Sequence, residues 1–550
     1  MGGNRHAVTV TRVRPAPSTI LAIVLGAGVP LAFFAIFFIW PVGAMIGRGF
    51  TDGVSDILVR PRTVRLIGLT LGQAALAAVV TPLLGVPIAH VLYRLRFHGR
   101  RVLRALIIVP FVMPTVVVGV AFRTLLRDDG LLGFLHLDGT FAAIMLALVF
   151  FNVAVVARTV GGAWESLDPR QEEAARALGV APARVFVTVT LRRLAPSVVA
   201  AASVVFLFCS TAFGVVLVLG GTRFGTIETE IYLLTTQFLD LKSASILSIA
   251  QLGVVVLVLL LASRLRTRGV EKGAGASRRP RATDAPAIAI ATLTALFLAT
   301  PIVALVARSL ETRNGPGLGN YVALASTGTR NALTVPVWVA LGNSLAIAVA
   351  ATAIALVVGV SASLVISRRP RNRGLRRAIL AMDGVLMLPL GVSAVTVGFG
   401  FLITLNQPPL DLRASPVLVP IAQALVATPL VIRTVLPVLG AIDGRLRESA
   451  AVLGSSPLRV LRDVDLGLIA RPVVAASGFA FAVALGEFGA TSFLSRPDRP
   501  TLPVVIYRLI GLPGGDNFGM AIAASVVLAA VTVGVIAAVE RINRGAGTTW

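Results

Sequence analysis

The sequence is poor in the residues that most chemistry requires. It holds one cysteine, Cys209, and four histidines, His6, His90, His98 and His136, scattered over 550 residues. A single cysteine excludes an intrachain disulfide. The histidines keep no metal-ligand spacing, so no metal site is expected. Lysine occurs only at Lys242 and Lys272, and neither follows a glycine. The G-x-x-x-x-G-K-[ST] loop that cradles nucleotide phosphates is therefore absent, as are H-E-x-x-H and the nucleophile elbow. The chain reads as a non-enzyme with no catalytic residues and no cofactor of its own. Charge is scarce too, with Asp, Glu, Lys and Arg together at 14%.

What is present is apolar. Hydrophobic residues make up 56%, and the mean hydropathy is +0.88. A chain of this length with that composition is a polytopic membrane protein, not a set of soluble domains. Twelve runs hold about the 20 residues needed to cross a hydrocarbon core. The first six are Ile20–Ile46, Val64–Leu92, Val102–Leu126, Thr140–Ala163, Ala195–Leu219 and Ser245–Ser263. The last six are Ala285–Ala307, Val335–Ile366, Leu375–Leu405, Pro416–Leu439, Pro472–Leu494 and Asn517–Val539. The first run is too long for a cleavable signal and reads as a retained span. Pro110, Pro114 and Pro389 are expected to bend their helices.

The formal charge is +25. The arginines stand in short clusters between apolar runs, which fits cytoplasmic loops better than nucleic acid. One cluster is Arg94, Arg96, Arg100, Arg101 and Arg104; its counterpart is Arg368, Arg369, Arg371, Arg373, Arg376 and Arg377. With both termini cytoplasmic, all strong clusters fall on one side. The expected organisation is all-α, about twelve transmembrane helices as two parallel six-helix repeats. The first repeat spans residues 1–263, with an N-terminal tail over 1–19. A cytoplasmic Arg/Gly/Ala-rich linker covers 264–284, and the second repeat covers 285–550.

The repeat is visible in the sequence. Asp168, Glu173, Gly179 and Pro182 recur at a spacing of 275 as Asp443, Glu448, Gly454 and Pro457. So do Phe213-Gly214 as Phe488-Gly489. Each polar copy reads as helix, tight turn, helix. Asp168 and Asp443 are caps, and Gln171 completes a capping box in the first copy. Gly179 and Gly454 are helix stops, and Ser456 and Pro457 restart the second copy.

The stretch Glu173, Ala174, Ala175, Gly179, Pro182, with Phe186, Leu191 and Pro196, resembles the EAA loop of bacterial ABC importer permeases. The second copy is Glu448, Ala450, Gly454 and Pro457, with Ser449 in place of the first alanine. The resemblance implies cytoplasmic coupling helices that dock on two copies of an ABC ATPase. ATP-Mg would then sit in those partner subunits. It also implies an extracytoplasmic substrate-binding protein, a bacterial plasma (inner) membrane location and no role for nucleic acid. Ser210–Tyr232 and Ala484–Gly511 resemble the thiamine and iron(III) importer branch.

Two polar residues stand out within spans. Glu487 lies in the expected eleventh span, where an ionisable group is costly, and is a candidate pathway or gate residue. Its first-half position is Ala212. Asn152 is a weaker candidate, for which interhelical hydrogen bonding is the other reading. The stretch Gly220–Lys242, with Glu228, Glu230 and Tyr232, reads as an external loop. Two other readings stay open: an ion-coupled secondary transporter, and an ABC permease for another small solute such as polyamine, sulfate or molybdate.

Overall fold

Backbone N–H and C=O groups in a hydrocarbon environment must be satisfied within the chain, so long apolar runs become helices. The structure is a computed structural model that describes residues 17–544, apart from 51–53, 222, 266–277, 313–314, 369–371, 408–409, 413–414 and 513. Residues 1–16 of the expected tail, most of the linker, and Arg369 and Arg371 lie outside the described residues.

Ten labelled helices cover each repeat. In the first they are α1 (Gly26–Gly49), α2 (Pro61–Arg94), α3 (Arg100–Val112), α4 (Thr115–Leu126) and α5 (Phe141–Glu165). Then come α6 (Arg170–Ala177), α7 (Pro182–Ser210), α8 (Gly214–Leu219), α9 (Ile227–Thr236) and α10 (Leu241–Leu261). The second repeat begins with α11 (Ala282–Ser309), α12 (Val337–Ile366), α13 (Arg373–Met387), α14 (Ala394–Thr404) and α15 (Leu418–Ala441). It ends with α16 (Gly444–Val452), α17 (Pro457–Gly486), α18 (Thr491–Leu494), α19 (Leu502–Gly511) and α20 (Gly515–Ile542). Helix n of the first set corresponds to helix n + 10 of the second.

Among the described residues, ten helices are long and apolar enough to span a membrane, or eleven with one bent pair. The count differs from twelve because the expected third and ninth spans are broken. The third is α3 and α4, bent by 107° at Met113-Pro114. A proline disfavours helix at the residue before it, and Met113 is extended. The ninth is α13 and α14, separated by a 3₁₀ turn over Leu388–Leu390 and by Ser393, whose side chain caps α14. The expected fifth and eleventh spans also end early, at Ser210 and Gly486.

The first helix of each repeat packs on the second helix of the other. α11 lies against α2, and α1 lies against α12. His90 on α2 meets Asp284 at 3.0 Å, which also accepts from both terminal nitrogens of Arg278. A Cβ at Gly26 would lie 3.3 Å from Val365, near the end of α12. Close helix approach recurs at matched positions. A Cβ at Gly85 would meet Val156 at 2.6 Å, and one at Gly359 would meet Val431 at 2.7 Å. These glycines let α2 seat on α5 and α12 on α15. One apolar cluster runs through both repeats, and Val79, Leu83, Leu293, Val303, Val349 and Val357 stand exposed on the long helices.

Candidate functional site

The two polar loops fold alike, residue for residue. Asp168 accepts from the Arg170 N–H and Asp443 from the Arg445 N–H, each at 3.0 Å. The first helix starts at Arg170 with Pro169 at its cap position, so Asp168 holds the Arg170 N–H from one place further back and the expected Gln171 capping box does not form. α6 ends with Gly179 N–H donating to Arg176 and Val180 N–H to Ala175. α16 ends with Gly454 donating to Ala451 and Ser455 to Ala450. This is the Schellman pattern, and it needs a left-handed residue. Gly179 and Gly454 both have φ of +81°. The next helix starts at Pro182 or Pro457, with Ser456 capping the second copy.

Neither α6 nor α16 buries a residue. Glu173, Ala174, Gly179, Pro182, Glu448, Gly454 and Pro457 are exposed, while Ala175 and Ala450 are half-buried. At the tips, Leu178 is 84% exposed and Leu453 85%. Each copy thus holds a large apolar side chain out at the same place on a polar loop.

Behind each loop sits a buried polar group. In the first, Arg94 at the end of α2 donates to Glu172 on α6 at 3.1 Å, and Thr190 on α7 donates to Glu172 at 2.9 Å. In the second, Arg368 just after α12 and Arg447 on α16 each donate to Asp465 on α17 at 2.7 Å. Asp465 has no exposed side-chain surface. Thr190 and Asp465 lie in matched π-helical segments, Phe186–Leu191 and Leu461–Leu466.

At the seam between the repeats, four aromatic rings form a chain. Phe213 stacks on Phe488 with centroids 5.3 Å apart and planes 16° apart. Tyr232 meets Phe213, and Tyr507 meets Phe488, each at 5.4 Å. Phe213 and Phe488 are 275 positions apart, as are Tyr232 and Tyr507. A pseudo-two-fold axis therefore passes between Phe213 and Phe488.

Glu487 is next to this stack, but not inside a helix. α17 ends at Gly486, and Glu487 is extended. Its carboxylate accepts from the Ala490 N–H, the Thr491 N–H and the Thr491 hydroxyl at 2.8, 3.1 and 2.6 Å. The expected external loop Gly220–Lys242 is also corrected, because it contains the buried helix α9. There, Ser393 of the second repeat donates to Glu228 at 2.7 Å, and Arg62 donates to Glu230 at 2.9 Å. Asn152 lies away from the seam, within the first repeat. It donates to the Leu148 carbonyl and to Cys209 Sγ, at 2.9 and 3.3 Å. Among the described residues, no cluster of three or more His, Cys, Asp or Glu could hold a metal ion.

Sequence reasoning found the loops and the Phe-Gly pairs, because they are identical in both copies. It missed the buried polar groups, because Glu172 matches Arg447 and Thr190 matches Asp465.

Comparison with known proteins agrees with this duplicated architecture. The family described as "Binding-protein-dependent transport system inner membrane component" matches residues 81–273. The probable sulfate transport system permease protein cysT of Nephroselmis olivacea is 30% identical over 200 residues, 35% of this chain and 70% of that protein. This chain belongs to the binding-protein-dependent transport permeases. The thiamine transport system permease protein ThiP of Brucella abortus (strain 2308) is 27% identical over 470 residues, 81% of this permease and 82% of the relative. ThiP of Escherichia coli (strain K12) is 28% identical over 460 residues, with 80% and 82% covered. The permease is thus an ABC-type inner membrane component with two fused halves, and its relatives are transport subunits, not enzymes.

Proposed function

We propose that this permease forms the translocation path for thiamine and is driven by two copies of a cytoplasmic ABC ATPase. The observation that carries the reading is the matched pair of loops with Leu178 and Leu453 held out at their tips. Two like surfaces related by a pseudo-two-fold axis suit two like partners. Glu173, Ala174, Ala175, Gly179 and Pro182 make the first contact surface; Glu448, Ala450, Gly454 and Pro457 make the second. The repeats are residues 1–263 and 285–550, joined by the linker 264–284, and both termini are cytoplasmic. ATP-Mg is held by the ATPase, and a binding protein delivers substrate from the other side. Phe213 and Phe488 close the path on the axis, flanked by Glu487 and, through Ser393, by Glu228. Asn152 fastens α5 to α7.

Thiamine is favoured over the other solutes on two grounds. The likeness to the thiamine permeases covers 81% of the chain and so takes in both halves. Carboxyl groups and stacked aromatic rings at the seam suit an aromatic organic cation better than a sulfate dianion.

The test is isolation of the permease from its native membrane, followed by uptake into proteoliposomes with its binding protein. A P-loop ATPase at about two copies per chain, lost with Gly179→Asp plus Gly454→Asp, and ATP-dependent uptake of labelled thiamine are expected. Uptake of ferric iron, sulfate, polyamine or molybdate in its place would replace the substrate. Uptake that follows an ion gradient without an ATPase would overturn the reading and turn attention to Glu487→Gln.

A further inference from the structure

The same three positions behind each loop hold a bonded polar group, but the acidic residue has moved. In the first half the order along the chain is Arg94, Glu172, Thr190. In the second it is Arg368, Arg447, Asp465. Arg368 follows Arg94 by 274 positions, and the other two pairs are 275 apart. The acid sits on the loop helix α6 in one half and on the transmembrane helix α17 in the other. Despite the exchange, each group joins the same three elements: the end of the second helix, the loop helix, and the π segment that opens the seventh helix. Apolar packing cannot do this, because α6 and α16 bury no residue.

The geometry is that of a mechanical link. A carboxylate that accepts from two separate elements ties them together; the bonds to Asp465 are both 2.7 Å, and those to Glu172 are longer, at 3.1 and 2.9 Å. Each link has a buried member, Asp465 at 0% exposure in one and Arg94 in the other. A π segment adds one residue to a helical turn and turns the side chain at that point. Here it points Thr190 and Asp465 back at the loop helix. A push on α6 or α16 is then delivered to α2 and α7, or to α12 and α17. The far ends of α7 and α17 run directly into Phe213 and Phe488 at the axis.

We propose that Arg94, Glu172 and Thr190, with Arg368, Arg447 and Asp465, are positioning residues that transmit the motion of the docked loops to the seam. Their joint requirement is one bonded carboxylate per triad, on either element. This inference rests on the reading that α6 and α16 dock on an ATPase.

The test uses the full permease with its ATPase and binding protein in proteoliposomes. ATP hydrolysis and labelled thiamine uptake are read separately. Thr190→Val and Asp465→Asn are expected to keep the ATPase bound and hydrolysing. Uptake per ATP should fall, about threefold for Thr190→Val and about tenfold for Asp465→Asn. The double variant Arg447→Glu plus Asp465→Thr gives the second triad the first triad's residues. It is expected to return uptake per ATP to within about twofold of the unaltered protein. A double variant as defective as Asp465→Asn, or an unchanged ratio in both single variants, would overturn the proposal. So would loss of the bound ATPase in Thr190→Val, which would make the triad part of docking. Failure of the unaltered permease to bind an ATPase would instead refute the docking reading. Binding without thiamine uptake would refute only the substrate, and stimulation of hydrolysis by the binding protein then serves as the coupling readout.

Discussion

Three donors converge on the carboxylate of Glu487, and together they begin α18. Removing the acceptor leaves buried N–H and O–H groups without partners, at a cost of about 1–3 kcal/mol for each group so stranded. Glu487→Ala is therefore expected to lower the melting temperature in detergent, and Glu487→Gln, which keeps one acceptor oxygen, to lower it less. An unchanged melting temperature in Glu487→Ala would remove the capping role. The glycines at helix contacts make a second residue-level case. Gly85→Val and Gly359→Val each put atoms where Val156 or Val431 already stands. Overpacking of this kind costs roughly 1–3 kcal/mol. Because the sites are matched, thermal unfolding should report similar losses for the two variants. Glu487 stands out in sequence as a costly acid within an apolar run, and its side chain is buried. Its place at a helix end was not legible, since FAVALGEFGATSF is apolar enough to continue a helix. Glu228 and Glu230 misled in the opposite way. Acidic residues in a polar stretch suggest a loop, whereas Ser393 and Arg62, more than 160 positions away, allow them to be buried.

At the scale of elements, local chemistry and hydropathy differ in what they reveal. The loops were readable because capping aspartates, helix-stopping glycines and helix-starting prolines act within a few residues. The broken third and ninth spans were not. Hydropathy averages over a window, and α3 with α4 passes as one apolar run although its halves diverge by 107°. The prolines were noted as bends, but the size of the bend depends on what each half packs against. The loop turn itself can be tested. Gly179 adopts φ of +81°, where an L-residue is disfavoured by about 1–2 kcal/mol. Gly179→Ala should therefore distort the tip that carries Leu178 and weaken recovery of the ATPase in a pull-down. Gly72→Ala is the control, because Gly72 lies within α2, where a Cβ would meet nothing within 4 Å. Alanine is the better helix former there, so ATPase recovery should be unchanged. Equal effects of the two substitutions would mean that the turn geometry does not matter for docking.

At the scale of the molecule, the two halves are not two independent bundles. α1 covers α12 and α11 covers α2, so each half lends its first helix to the other. The seam adds the Phe213–Phe488 stack and the Ser393–Glu228 bond, both of which cross between halves. The duplication is legible in sequence as residues that recur at a spacing of 275. The exchange is not, because every apolar helix face fits either half equally well by composition. The exchange has a consequence for assembly. A chain ending within the linker 264–284 keeps α1 but leaves the α2 face without α11. A chain starting there has α11 without α2 to receive it, and Asp284 loses its contact with His90. Each fragment expressed alone is therefore expected to be degraded or to aggregate in detergent. Expressed together, the two should co-purify as one complex and support thiamine uptake at a measurable fraction of the intact level. Recovery of uptake would mean that the exchanged helices and the axial stack, rather than covalent continuity, hold the halves in register. Two fragments that each purify alone as stable, monodisperse species, and that do not associate when mixed or co-expressed, would show that the exchange does not hold the halves together.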